Sequence, residues 1–318
     1  MHPLGNIQKK CKLKILIIGS GGFLGGWVKN ILQDNQEHLI EEIPGKNFID
    51  ITKEDKFESF IKSSKPDVVI NCAAFVGGIA YGYKYPSKIL DLNSKMALTL
   101  YSVLNKNNVN LLINPISNCA YPKHLTTYKE AEFFSGPPHE SVYNYAVAKR
   151  LFVNLGNSYQ KEYGFNSVNV ILSNMYGQND HFDIERSHAL GALVKKICDA
   201  KMDGTKTVEI WGSGEPIREW LHVSDGARAL IKSTYLNNGH HFFNVGVNKG
   251  ISIKDLALEI KNAAEWDGEF TYNLEKPDGV SEKKVDGSTG NKVIKWEPEV
   301  DLKSGIKDTV EWYFENKI

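Results

Sequence analysis

Along the first 172 residues, apolar and polar positions follow a repeating order. A short run rich in β-branched residues gives way to a turn and then to a stretch with helical spacing. Lys12-Leu13-Lys14-Ile15-Leu16-Ile17-Ile18 reads as a buried strand. Further strands are expected at Leu39–Ile43, Pro66–Asn71, Val109–Ile116 and Ser167–Leu172, with helices at Trp27–Leu32, Lys53–Ser63, Pro86–Asn105 and Tyr145–Tyr163. Such alternation predicts an α/β fold, a parallel sheet with helices on both faces. After Leu172 the pattern loosens. Loops rich in Asn, Asp, His and Gly are expected at Asn174–His188 and Trp211–Pro216, and short strands at Thr207–Ile210 and Phe242–Val245. A final αβ piece runs from Ser252, punctuated by Gly and Pro over Lys276–Gly290. This predicts a smaller, discontinuous C-terminal domain beside the sheet.

Composition narrows the function classes. The 318 residues allow one large domain or two smaller ones. Lys and Arg total 38 and Asp and Glu total 38, so there is no basic excess to suit nucleic acid. No apolar run approaches the ~20 residues that span a bilayer. The start, Met1 to Lys14, is polar and basic with no hydrophobic signal segment, so a cytoplasmic protein is expected. Cys11, Cys72, Cys119 and Cys198 are too scattered for a disulfide framework. No pair has zinc-type spacing, so no metal is expected.

Gly19-x-x-Gly22-x-x-Gly25 sits between an expected strand and an expected helix. The first glycine permits a tight turn and the second lets backbone approach a pyrophosphate. The third lets helix and strand pack closely, while the helix N-terminus attracts phosphate. This points to a dinucleotide. Glu41 and Glu42, the candidates for a ribose 2′-hydroxyl partner, fall early, inside the second strand. Lys46 falls in the turn after it, where a cation either meets a 2′-phosphate or stands as a solvated surface lysine. Contacts to the cofactor, NADPH in preference to NADH, are expected from Gly19, Gly22, Phe23, Leu24, Gly25, Lys46, Asp50, Ala73 and Ala74.

Tyr145-x-x-x-Lys149 places two side chains on one face of an expected helix. A nearby ammonium favours tyrosinate, which predicts a lowered tyrosine pKa. Ser117 ends the preceding strand, at the sheet edge where a nicotinamide would lie. Asn71-Cys72-Ala73-Ala74 ends another strand at that edge, and its small residues leave room for a cofactor. Ser117, Tyr145 and Lys149 then form a proton-transfer set beside a hydride carrier.

These features resemble the extended short-chain dehydrogenase/reductase superfamily. A narrower set of strings resembles the GDP-L-fucose synthase family: Ala74-Phe75-Val76-Gly77-Gly78-Ile79, Ser117-Asn118-Cys119-Ala120-Tyr121-Pro122-Lys123, Asn144-Tyr145-Ala146-Val147-Ala148-Lys149, Ser187-His188, the run from Trp211 to Val223, and Lys276-Pro277-Asp278-Gly279. The similarity covers nearly the whole chain in order. It implies a Rossmann-type doubly wound sheet, with residues 1–172 and 217–247 holding NADPH and 173–216 and 248–318 holding a GDP-linked 4-keto sugar. It also implies epimerisation at C3 and C5 followed by NADPH reduction at C4. Tyr145 would protonate O4 and Ser117 would bond the same oxygen. Lys149 would hold the nicotinamide ribose and tune Tyr145. Cys119 and His188 would move the C3 and C5 protons. Asn174, Lys196, Trp211, Arg218 and Lys283 would bind the nucleotide sugar, and the family commonly forms homodimers. The chain departs from the family pattern at Gly21, where a basic residue is common, and at Lys195 and Lys196, which replace an arginine pair. Alternatives are a GDP-4-keto-sugar (hexose or heptose) C4-reductase without epimerisation, an epimerase that keeps NAD⁺ bound, and a non-catalytic nucleotide sensor.

Overall fold

A computed structural model describes residues 12–183, 187–276 and 278–316, with backbone only for 79 and 80. The basic start with Cys11, and Pro277, lie outside the described residues. Six parallel strands form the main sheet in the order Leu39–Ile43, Lys14–Ile18, Val68–Asn71, Leu111–Ser117, Ser167–Leu172 and His240–Val245. Strand Lys14–Ile18 is apolar on both faces, and its alternate residues enter different cores. Ile15 and Ile17 pack with Val28 and Leu32 of the helix Phe23–Asn35 and with Leu230 of the helix Val223–Lys232. Leu16 and Ile18 face the helices Glu54–Ser64, Pro86–Lys106 and Tyr143–Tyr163 through Phe57, Leu100 and Phe152. The doubly wound expectation is met. The chain leaves Lys14–Ile18 for a neighbour on one side and returns for one on the other. This reversal opens a crevice at the carboxyl ends of the strands.

A row of buried amides crosses the sheet. Asn71 donates to Asn114 and Asn114 to Asn169, each at 3.2 Å, and Asn169 donates to the Tyr101 hydroxyl at 3.3 Å.

The second lobe is interleaved with the first. Strand Ile217–His222, grouped by the sequence reading with the dinucleotide domain, is hydrogen-bonded into a second sheet. There it pairs with Gly250–Ser252, Asn174–Tyr176 and Glu282–Val285. Thr127–Tyr128 joins that sheet from the first half of the chain. In return, Ile294 and Trp296 pack into the first-lobe core. A third pair, Thr207–Trp211 and Glu269–Asn273, extends this lobe. The loosened pattern also conceals the helix Ala189–Asp203, whose Leu190, Leu193, Val194 and Ile197 are buried.

Candidate active site

The glycine loop forms as its spacing requires. Gly19 has φ +81°, and a Cβ there would lie 2.8 Å from the Ala73 amide nitrogen. A Cβ on Gly25 would lie 2.1 Å from the Gly19 carbonyl oxygen, so helix and strand touch through backbone. The helix Phe23–Asn35 follows with no side-chain cap, leaving its first amides for a ligand. The Phe23 and Leu24 side chains turn into the core, so only their backbone can serve a phosphate. Gly19, Gly22, Lys46, Asp50, Ala73 and Ala74 line one groove of about 590 Å³. Hydrogen bonds from Thr52 hold the Asp50 carboxyl below its usual range. Glu41 pairs with Lys14 at 3.0 Å and Glu42 accepts from Ser20 at 2.9 Å, both within their strand. His181 reaches the same groove, which the sequence reading did not foresee beyond marking its loop as His-rich.

Next to it lies a pocket of about 360 Å³ lined by Ser117, Cys119, Tyr145, Asn174 and His188. Ser117 ends its strand and caps the turn Asn118–Ala120, accepting from the Cys119 amide at 3.3 Å. Lys149 is buried under Tyr145, its Nζ 5.6 Å from the ring centroid and donating to the Pro115 carbonyl at 2.9 Å. Burial pushes the Lys149 pKa down to about 8. Tyr145 moves opposite to expectation: burial, then nearby Cys119, push its pKa up. Desolvation of the phenolate sets the direction here. Burial raises the Cys119 thiol, against the Ser117 hydroxyl and the Lys149 and Lys283 ammoniums. Crowding at the pocket wall and neighbouring His181 hold His188 low, although its side chain is open to solvent.

A third recess, about 370 Å³, continues from Asn174 and His188 past Lys196, Trp211 and Arg218. Asn174 donates to the Glu219 carbonyl at 3.0 Å. Trp211 is 62% exposed, with its indole donating to Glu209 at 3.0 Å and Lys196 Nζ 5.2 Å from the ring. Lys195 points elsewhere, ion-paired with Asp199 at 2.8 Å. Asp278 accepts from the Ser213 amide at 2.6 Å and hydroxyl at 2.8 Å, so two of the family-like strings clamp each other. Lys283 lines neither recess but sits opposite Arg218 on the adjoining strand. Among the described residues no helix is long and apolar enough to cross a membrane, and no group of acidic, His and Cys residues suits a metal.

Residues 15–246 match the NAD dependent epimerase/dehydratase family. The GDP-L-fucose synthase of Azorhizobium caulinodans is 33% identical, over 94% of this chain and 96% of the relative. A GDP-L-fucose synthetase from Naegleria fowleri bound to NADP superposes with a TM-score of 0.87 at 27% identity, covering 99% and 96% of the two chains. A GDP-mannoheptose C4 reductase from Campylobacter jejuni with NADP bound gives 0.85 at 26% identity, covering 95% and 98%.

Proposed function

Because this chain belongs to the NAD dependent epimerase/dehydratase family, we propose that it is an NADPH-dependent 3,5-epimerase/4-reductase of a GDP-4-keto-6-deoxy sugar. What carries the reading is one pocket in which Ser117, Cys119, Tyr145 and His188 converge beside the dinucleotide groove. The groove fits the cofactor: a glycine cradle that a Cβ would fill, uncapped helix amides, and Lys46 at the end where a 2′-phosphate would lie. When bound there, NADPH supplies the hydride for C4.

The chain's own residues do the rest. Tyr145, kept protonated by burial, donates its phenol proton to O4 as charge develops on that oxygen. Ser117 hydrogen-bonds the same oxygen. Lys149 stays close enough to tune Tyr145 and to hold the nicotinamide ribose. A 4-keto group acidifies the neighbouring C–H bonds, so Cys119 and His188 can remove and return protons at C3 and C5 from different sides. Lys196, Trp211, Arg218, Lys283 and Asn174 bind the nucleotide. The first lobe holds the cofactor and the second the sugar nucleotide.

The same reading has the protein work in the cytoplasm as a homodimer. The outer faces of Pro86–Lys106 and Tyr143–Tyr163, with Leu98 and Tyr163 about half exposed, support a paired helix interface. A C4-reductase without epimerisation is the second reading, favoured by the likeness to the heptose reductase. Incubation with NADPH and a panel of nucleotide 4-keto sugars in D₂O, with NMR of the product, tests both. Deuterium at C3 and C5 together with NADPH oxidation is expected. Oxidation without deuterium leaves the reductase alone, and neither signal overturns both.

A further inference from the structure

The helix Tyr143–Tyr163 grips the Ser117–Cys119 segment at both ends, through two adjacent residues. Lys149 donates to the Pro115 carbonyl at 2.9 Å, two residues before Ser117. Arg150 donates through Nε to the Ala120 carbonyl at 2.8 Å, one residue after Cys119. Neighbouring helix residues point about 100° apart, so one helix can reach two points on the same chain. The Ala120 carbonyl needs such a donor. It ends the single turn Asn118–Ala120, and the last carbonyl of a turn has no partner within it. Ala120 is fully buried, so solvent does not supply one. The rest of the turn is tied elsewhere: Ser117 accepts from the Cys119 amide at 3.3 Å, and Asn118 donates to Asn174 at 3.4 Å.

The Arg150 guanidinium is packed into the protein. Its Cζ lies 5.5 Å from the ring centroid of buried Phe133 and 5.7 Å from that of half-exposed Phe134. Phe133 in turn meets Tyr121, the residue just past the turn, edge-on at 4.9 Å. Among the described residues no carboxylate pairs with Arg150, and its Nη2 is buried without a hydrogen-bond partner. The bond to Ala120 and the two rings therefore fix the side chain. An arginine placed only for solubility would keep its head in water.

We propose that Arg150 is a positioning residue that sets Cys119 relative to Tyr145, so that inversion and reduction act on one bound sugar. The proposal rests on the epimerisation reading above. Lys149 fixes the Ser117 end of the segment and Arg150 the Cys119 end. Loss of the Arg150 bond frees the sulfur, while Ser117, Tyr145 and Lys149 keep their places.

Two substitutions isolate the hydrogen bond. Arg150→Gln keeps an N–H at the same place along the side chain as Nε, and Arg150→Met puts a methyl group there. Arg150→Leu stands in should Arg150→Met not fold. With GDP-4-keto-6-deoxymannose in D₂O and no NADPH, deuterium uptake at C3 and C5 reads inversion alone. Hydride transfer is read as the first burst of NADPH oxidation on a 4-keto pool already equilibrated by wild-type enzyme, which is then removed. A displacement near 1 Å can cost about 10²-fold, so Arg150→Met should slow uptake by roughly ten- to a hundredfold and the burst by about twofold at most. Arg150→Gln should restore uptake to near the wild-type rate. Uptake at the wild-type rate in Arg150→Met overturns the proposal, and so do equal losses of uptake and burst. Arg150→Gln behaving like Arg150→Met overturns it too. Amide hydrogen exchange needs no substrate: a peptide spanning 117–121 should exchange faster in Arg150→Met, with the helix peptide 143–163 unchanged. If wild type takes up no deuterium, the epimerisation reading falls. The peptide exchange then still decides whether Arg150 holds the turn, and an unchanged rate at 117–121 shows that it does not.

Discussion

The two sides of the crevice are built from opposite materials. The side proposed for the cofactor is shaped by backbone and by missing side chains: glycines at 19, 22 and 25, alanines at 73 and 74, and helix amides without a side-chain cap. The side proposed for the substrate is shaped by charged and aromatic side chains such as Lys196, Trp211 and Arg218, of which the two cations have no ion-pair partner among the described residues. A binding surface made of backbone tolerates no added atom but needs no particular charge. One made of side chains tolerates reshaping but is sensitive to each charge. A fold can therefore keep one cofactor while its substrate changes.

The largest effect should come where the two sides meet. Tyr145→Phe removes the donor and keeps the ring, and general acid catalysis contributes roughly 10²–10⁴-fold. Turnover should fall by that factor with NADPH affinity retained, as read by steady-state rates and cofactor titration. Near-normal turnover removes Tyr145 from the chemistry.

The backbone side is tested by one methyl group. Gly25→Ala forces a carbon to within 2.1 Å of the Gly19 carbonyl. Overpacking of this kind typically costs about 1–3 kcal/mol. Urea unfolding should show that loss, together with weakened NADPH binding. Unchanged values for both would mean that the helix can slide off the strand at no cost.

Lys149 belongs to both sides, and its burial has a sign. Its pKa is held down to about 8 by burial, against roughly 10.4 for an exposed lysine. Between these values the unfolded chain binds more protons than the folded one, so stability rises with pH. Below about 8 the buried ammonium costs its full amount. Lys149→Met should be inactive yet more stable than wild type at neutral pH by about 1–3 kcal/mol. That advantage should shrink as pH rises toward 10.4, and melts across pH check it.

The smallest effect is expected at Lys46, an exposed charge at the groove's rim. Lys46→Ala should weaken NADPH by up to about tenfold, on the order of 1 kcal/mol as for exposed ion pairs, and leave NADH unchanged. Equal losses for the two cofactors would mean that Lys46 does not meet a 2′-phosphate.

The same contrast explains what could be read from the chain. Glycines with strict steric roles announce themselves by spacing, and the strand ends that carry Ser117 and Asn71 follow from hydrophobic pattern. Helical spacing also aligned Tyr145 with Lys149, but spacing carries no dielectric, and so the direction of the tyrosine shift was missed. Adjacent Lys195 and Lys196 point about 100° apart on their helix, which one-dimensional matching cannot see. The interleaving of strands Thr127–Tyr128 and Ile217–His222 depends on pairings between residues more than about 40 positions apart, and no local signal marks it. Tyr128 and His181 gave no motif, and Glu219 stood unmarked inside the Trp211–Val223 string, since their surroundings come from what the second sheet and the loop bring near them.

The buried amides of Asn71, Asn114 and Asn169 have a consequence for how the chain assembles. The two links join residues 43 and 55 positions apart, so each needs a neighbouring pair of strands in place and the whole row needs all three strands. Sliding one strand by a single residue would strand amide groups in an apolar layer, at about 1–3 kcal/mol each. The row thus acts as a proofreading step, late and dependent on register. Asn114→Ala should accordingly hasten unfolding while leaving the early refolding rate nearly unchanged, a partition that a chevron analysis would read directly.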